Sequence, residues 1–357
     1  MNFNKKTYKQ AFSAILLLML FIGTPAFADL KKGLTAVQTG DFKEAEKEWN
    51  ISAQAGEAES QYNLGALYIS GKLGYIDSKN GVKWLEKAAS RKHLDANYAL
   101  GIIYYVGKIV PQNFQRSYKH YLIAAEGGHV LAQFNLATLY ISGQGVNQDL
   151  SKASEWFTKA AEKNHPDAQF NLGLMYLTGK GLKPDVKLSI YWLTKAAEQD
   201  YLAAQYYLAK LYLDGQQTPM DLTQAVNWMS KSAKSGHVEA QYFLAQMYLW
   251  GLGVTKDEKQ ALDLFAKAAA GWDRQSMYQL GLIYLNGKLI SKDLIEAHKW
   301  FNLSASLGHE ESHFLRSYVA AQLNPDELKK SKEIAQQWFD SNHSTPHKHY
   351  DLKPHSH

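Results

Sequence analysis

A small residue followed two places later by an aromatic returns every 36 residues along most of this chain. The pairs are Ser60/Tyr62, Ala96/Tyr98, Ala132/Phe134, Ala168/Phe170, Ala204/Tyr206, Ala240/Tyr242, Ser276/Tyr278 and Ser312/Phe314. In the first seven copies a Leu column (Leu64 to Leu280), a Tyr column (Tyr68 to Tyr284) and a Gly column (Gly71 to Gly287) follow in the same register. A fixed period of this size means stacked supersecondary units, each burying its apolar face only against its neighbours. Such arrays mostly present long surfaces to partners, and few are enzymes.

A length of 357 residues would ordinarily suggest two or three domains. The repeat predicts one elongated domain instead, because a stack of this kind has no single core to outgrow. Residues 1–28 stand apart from it. Lys5, Lys6 and Lys9 form a positive start, Ala11 to Ile22 an apolar run, and Ala26-Phe27-Ala28 a small-x-small site before Asp29, the pattern of a cleavable secretory signal. The run falls short of the ~20 apolar residues that cross a bilayer. The expected mature chain therefore begins at Asp29, in the periplasm or outside the cell. It holds no cysteine, so neither a lipid-modified Cys nor a disulfide contributes. Removing three lysines leaves 36 Lys and Arg against 34 Asp and Glu, a balance of +2. Nucleic acid, which needs clustered positive charge, is not an expected partner.

Within each unit Ala168, Leu172, Met175 and Tyr176 exemplify apolar residues at helical spacing, helix A, ended by glycines such as Gly179 and Gly181. A second helix, B, begins at a column suited to N-capping: Asp41, Asp77, Asn113, Asp149, Asp185, Asp221, Asp257 and Asp293. Helix B carries Trp84, Trp156, Trp192, Trp228 or Trp300, then small pairs such as Ala160-Ala161 that permit close helix approach. It stops near Gly56, Gly128, Gly236 and Gly308, residues suited to a left-handed turn.

The string Ala168-Gln-Phe-Asn-Leu-Gly-Leu-Met-Tyr-Leu-Thr-Gly179, with Trp192-Leu-Thr-Lys-Ala-Ala197, resembles the Sel-one-like repeat (SLR), a relative of the TPR with a longer turn. The resemblance implies an all-α, right-handed superhelical solenoid of helix-turn-helix units. It implies a TPR-like capping hairpin over 29–57, an SLR array of about seven repeats over 58–322, and a closing helix over 323–342. His120 and Leu264 stand where the pattern has Trp, and Gln216-Gln217-Thr218-Pro219 replaces a loop glycine, so altered packing is expected there.

Several strings invite a chemical reading. His309-Glu-Glu-Ser-His313 matches the HExxH of zinc proteases, which needs both histidines on one continuous helix. Here Gly308-His309 falls at a turn between helices, so no metal site is expected. Gly143-Gln-Gly145 and Gly251-Leu-Gly253 follow helices, whereas a phosphate-binding loop precedes one, so these are turns. The acidic column is expected to serve the backbone and not a pair of catalytic carboxylates. His93, His129, His165, His237 and His309 share a column too widely spaced to share an ion, and contact with the carbonyl ends of helix B is expected. Residues 343–357, with His343, His347, His349, His355 and His357 beside Pro346 and Pro354, are expected to be a disordered tail with at most weak metal binding. No nucleophile and base, and no cofactor site, are expected.

Partner binding is expected where repeats disagree. The helix A positions i, i+3 and i+7 vary widely, and the TPR-like arrangement places helix A on a concave groove. Tyr207, Lys210, Asp214, Phe243, Gln246 and Trp250 are the most interface-like set, with Asn135 and Asn171 on the same columns. A chain of this kind is expected to be an exported, non-catalytic scaffold or adaptor for a protein or peptide partner. It would act in the envelope or engage a host protein in virulence or entry. The competing class is a cell-wall or β-lactam-acting hydrolase, an activity known among cysteine-rich SLR proteins; this chain's lack of cysteine counts against it.

Overall fold

The computed structural model describes residues 25–343. Among these there are eighteen helices and no strand, gathered into two compact units that meet in sequence at Asp185/Val186. The first unit holds α1 (Pro25–Gln38), α2 (Phe42–Gln54), α3 (Ala58–Ser70), α4 (Ser78–Ser90), α5 (Leu94–Val106), α6 (Phe114–Glu126), α7 (Val130–Ser142), α8 (Leu150–Glu162) and α9 (Pro166–Thr178). The second holds α10 (Val186–Ala197), α11 (Leu202–Asp214), α12 (Leu222–Lys234), α13 (Val238–Trp250), α14 (Glu258–Ala270), α15 (Arg274–Asn286), α16 (Leu294–Ser306), α17 (Glu310–Ala320) and α18 (Pro325–His343). Consecutive helices pack together within each unit as far as α17, so the fold is an all-α solenoid. The expected leader lies outside the described residues except for 25–28, which are helical in α1, and the histidine-rich tail lies outside them beyond His343.

The same few devices build every repeat. The last residue of helix A hands over to a glycine in the left-handed region, as at Gly107 (φ 70°) and Gly179 (φ 70°). The chain then returns so that the N–H of the next helix's cap donates to the carbonyl of the Tyr column, as Asp77 to Tyr68 at 2.9 Å and Asp257 to Tyr248 at 3.0 Å. The cap side chain in turn accepts from the third residue of helix B. Asp41 to Glu44, Asn113 to Arg116, Asp221 to Gln224 and Asp293 to Glu296 all lie at 2.9–3.0 Å. The acidic column thus serves the backbone.

At the other end of helix B the turn column is left-handed throughout. Gly56, Gly128, Gly236 and Gly308 take it, and so do Lys92 (φ 61°), Asn164 (φ 64°), Asp200 (φ 59°) and Trp272 (φ 67°). The next N–H closes back to a carbonyl five residues earlier, as His93 to Ala88 at 3.2 Å and His129 to Ala124 at 3.0 Å.

Leu64, Leu100, Leu136, Leu172 and Leu208 are fully buried, and close helix approach seals the layer around them. At Gly101 a Cβ would stand 2.4 Å from the Tyr121 ring, so α5 and α6 meet only because no side chain is there. A buried amide adds a tie in the first six repeats: Gln133 Nε2 donates to Ala125 O at 3.1 Å and Gln205 Nε2 to Ala197 O at 3.1 Å, holding helix A to the end of the preceding helix B, and Met277 stands in this column in the seventh.

α18 departs from the repeat. It packs on α16, where Ser331 Oγ meets His298 Nδ1 at 2.8 Å and Trp338 lies edge-on to Trp300 and Trp272 at 5.4 and 5.5 Å. Phe314 of α17, in the column where Tyr62, Phe170 and Tyr206 are buried, is 72% exposed.

Candidate functional site

In the second unit, α11 and α13 bring part of the variable helix A face together around a residue outside the expected set. Tyr206 is buried, lies edge-on to Tyr207 at 5.7 Å, and stands 6.0 Å from Phe243. Lys210 Nζ sits over both rings, 5.7 Å from Tyr206 and 5.6 Å from Phe243. Gln246 Nε2 donates to Tyr242 Oη at 2.7 Å, and Tyr242 lies edge-on to Phe243 at 5.3 Å. Burial, with the charge of Glu239, pushes the Tyr207 phenol above its usual range. It is therefore a neutral hydrogen-bonding group at neutral pH. Asp214 is exposed at the end of α11, and Trp250, in the same column one repeat later, is 70% exposed just before Gly251. Phe243 and Tyr207 are half-buried among aromatics, whereas Trp250 stands clear of the core.

Asn135 and Asn171 belong to the first unit. Asn135 is half-buried on α7. Asn171 is only 7% exposed, and its Nδ2 donates to Asp167 O at 2.7 Å within α9. A helix position with a short amide can satisfy itself on its own backbone, and here it does.

The histidine column has a role that differs from the expected one. Each ring caps the helix A that it precedes. Nδ1 of His93, His129, His165, His237 and His309 accepts from the N–H three residues on, at 3.1–3.3 Å. The ring also stacks on the preceding repeat's aromatic: Tyr62 at 4.9 Å, Tyr98 at 4.4 Å, Phe134 at 4.9 Å, Tyr206 at 4.8 Å and Tyr278 at 4.4 Å. Nε2 reaches back to Glu59 from His93 (2.8 Å), to Asp95 from His129 (3.1 Å) and to Gln275 from His309 (3.2 Å). Burial pushes His165, His237 and His309 below the usual imidazole range, so they remain neutral acceptors. The signal was present in the sequence: each histidine directly precedes helix A, three residues before its first small residue.

This arrangement also divides the HExxH string. His309 is the cap, while His313 lies inside α17 and is exposed, so the two do not share a continuous helix. Among the described residues no group of three or more His, Cys, Asp or Glu is placed to hold a metal ion. No helix among them is long and apolar enough to cross a membrane.

The Sel1 repeat model matches residues 58–93, 94–129, 130–165, 166–201, 202–237, 238–271 and 274–309. Among solved structures the chain is similar to a Sel1 repeat protein from Oxalobacter formigenes, at 31% identity and a TM-score of 0.58, over 70% of this chain and 99% of that one. It is also similar to a protective antigen of uropathogenic Escherichia coli strains with an SLR fold, at 27% identity and a TM-score of 0.57, over 88% of this chain and 76% of that one. No curated protein sequence matches it. With seven consecutive matches over a shared fold, the chain belongs to the Sel1 repeat family.

Proposed function

We propose that this chain is an exported, non-catalytic scaffold that binds a protein or peptide partner through the α11–α13 face. The observation that carries the reading is Trp250: a large aromatic, 70% exposed, on a column that its repeats leave free to vary. Exposed aromatics beside polar groups are the usual anchors of interfaces, and Lys210, Asp214 and Gln246 supply the polar surroundings. The leader pattern ending at Ala28 supports export. A relative of similar fold is a protective antigen of uropathogenic Escherichia coli strains, and the exported reading is in keeping with it. The near-neutral mature chain favours protein over nucleic acid as the partner.

The test uses the mature chain from Asp29 as bait on envelope and medium fractions. A partner captured by the parent should be lost on Trp250→Ala, at a cost of ~2 kcal/mol or more in affinity. Retention of the same partner by the Trp250→Ala chain would remove this face from the reading.

A further inference from the structure

In the first unit the lysines and arginines of the repeat helices lie on the B helices, which also hold Glu86, Glu126, Glu155 and Glu162. The A helices α3, α5, α7 and α9 contain Glu59, Asp95 and Asp167 and no lysine or arginine. The B helices α4, α6 and α8 carry seven lysines and arginines. A cation approaching the A face therefore meets carboxylates and no competing positive side chain on those helices.

That face also contains a cavity of about 20 Å³ between α3 and α5. Ala66 and Ala99, both partly exposed, stand beside buried Ile69, Leu85, Ile102 and Ile103 in its lining. Two alanines where other repeats place larger groups leave the space open. A water would fit by size, yet the aliphatic lining offers it almost no partners, so a short aliphatic group suits the space better.

Polar groups border the same place. Tyr62, which lines the cavity, stacks on His93, and His93 holds Glu59. Asp95 stands one helical turn before Ala99 on α5, and Glu59 two turns before Ala66 on α3, so each carboxylate lies along the same helix face as its alanine. Their side chains remain 55% and 43% exposed.

We propose that the α3–α5 face docks an extended, lysine- or arginine-bearing segment of a partner protein. The segment seats one short aliphatic side chain between Ala66 and Ala99 and sets its cations against Glu59 and Asp95. Charge complementarity selects this occupant over an acidic one. The site lies in the other unit from Trp250 and stands whether or not the α11–α13 face binds.

The chain has no cysteine, so Ser70→Cys, at the exposed end of α3, carries one environment-sensitive fluorophore on the mature protein. The probes are acetylated octapeptides of alternating Lys-Val, Glu-Val and Lys-Ser. Lys-Val should give a saturable signal that weakens with salt, and the other two should bind at least about tenfold more weakly. Glu59→Gln with Asp95→Asn, and separately Ala99→Leu, should each weaken Lys-Val about tenfold. Helical circular dichroism and the melting midpoint of each variant report folding, and Ala66→Val replaces Ala99→Leu if the latter melts early. The proposal is overturned if Lys-Val shows no saturation up to about 1 mM. It is equally overturned if Lys-Ser binds as well, or if the acid variants bind undiminished. Failure of the Trp250 test leaves these outcomes untouched.

Discussion

His237 caps α13 through Nδ1, stacks on Tyr206 and lies 3.3 Å from Glu239, and this places three interactions on one imidazole. Replacing it with Ala should cost ~1–2 kcal/mol, from a lost cap and a lost ring contact, and His237→Asn should recover the cap portion. Denaturant midpoints of the two variants check this. A pH dependence follows from the same geometry. Burial lowers the folded-state pKa of His165, His237 and His309 and holds that of His298, which also faces Lys332 and Arg316, down to about 4. Each opposes protonation when folded, while the unfolded chain takes up protons as pH falls through the ordinary imidazole value of ~6.5. Stability should therefore be full above about pH 7 and decline from there toward about pH 4, each such histidine adding a slope of up to ~1.4 kcal/mol per pH unit. Melting midpoints between pH 8 and 4 measure the decline. A flat profile contradicts the neutral-cap account, and His298→Gln should flatten part of it. The sequence made the acidic caps legible, because Asp or Asn before an amphipathic run has one common use. The histidine caps were less legible, since the ring's second partner lies 34 residues away, in the preceding repeat.

Each helix A divides into a side that the array requires and a side that it does not. Leu172 is fully buried, and Leu172→Ala should cost folding ~2–5 kcal/mol through the cavity left behind. Trp250→Ala should cost much less, since that ring stands in solvent. Phe243→Ala should fall between them, because Phe243 packs against Tyr206 and Tyr242 while part of it remains exposed. Paired measurement of denaturant midpoint and partner affinity for the three variants sorts packing from recognition; if Trp250→Ala unfolds as readily as Leu172→Ala, the ring is structural. The helix pattern was fully legible, since a 36-residue repeat states its own core. The turn column was half legible. Glycine marks Gly56, Gly128, Gly236 and Gly308, but Lys92 and Trp272 adopt the same left-handed turn because the backbone bonds on either side demand it. The α3–α5 cavity was not legible, because it arises from two alanines meeting across helices, a property of the packing and of neither helix alone.

At the scale of the molecule, the uniform period means that a whole repeat can be removed without breaking register. Excising residues 94–129 joins His93 to Val130, so His93 inherits the cap of α7 and keeps its contact with Tyr62. The shortened chain should unfold in a cooperative transition, with a denaturant m-value lower in rough proportion to the surface removed. Excising 35 residues instead leaves one residue too many at the new junction, so coupling should weaken there alone while the later repeats keep their own spacing; circular dichroism and m-values of the two deletions compare them. The bonds that tie neighbouring repeats join residues close in sequence: Ser232 to Leu202 spans 30 residues, Lys163 to Gly128 spans 35, and Tyr105 to Gln144 spans 39. These contacts can therefore form without waiting for a distant part of the chain to be made. A chain emerging end first, from a ribosome or a translocation channel, can complete each repeat as soon as the following hairpin appears, and assembly can keep pace with delivery.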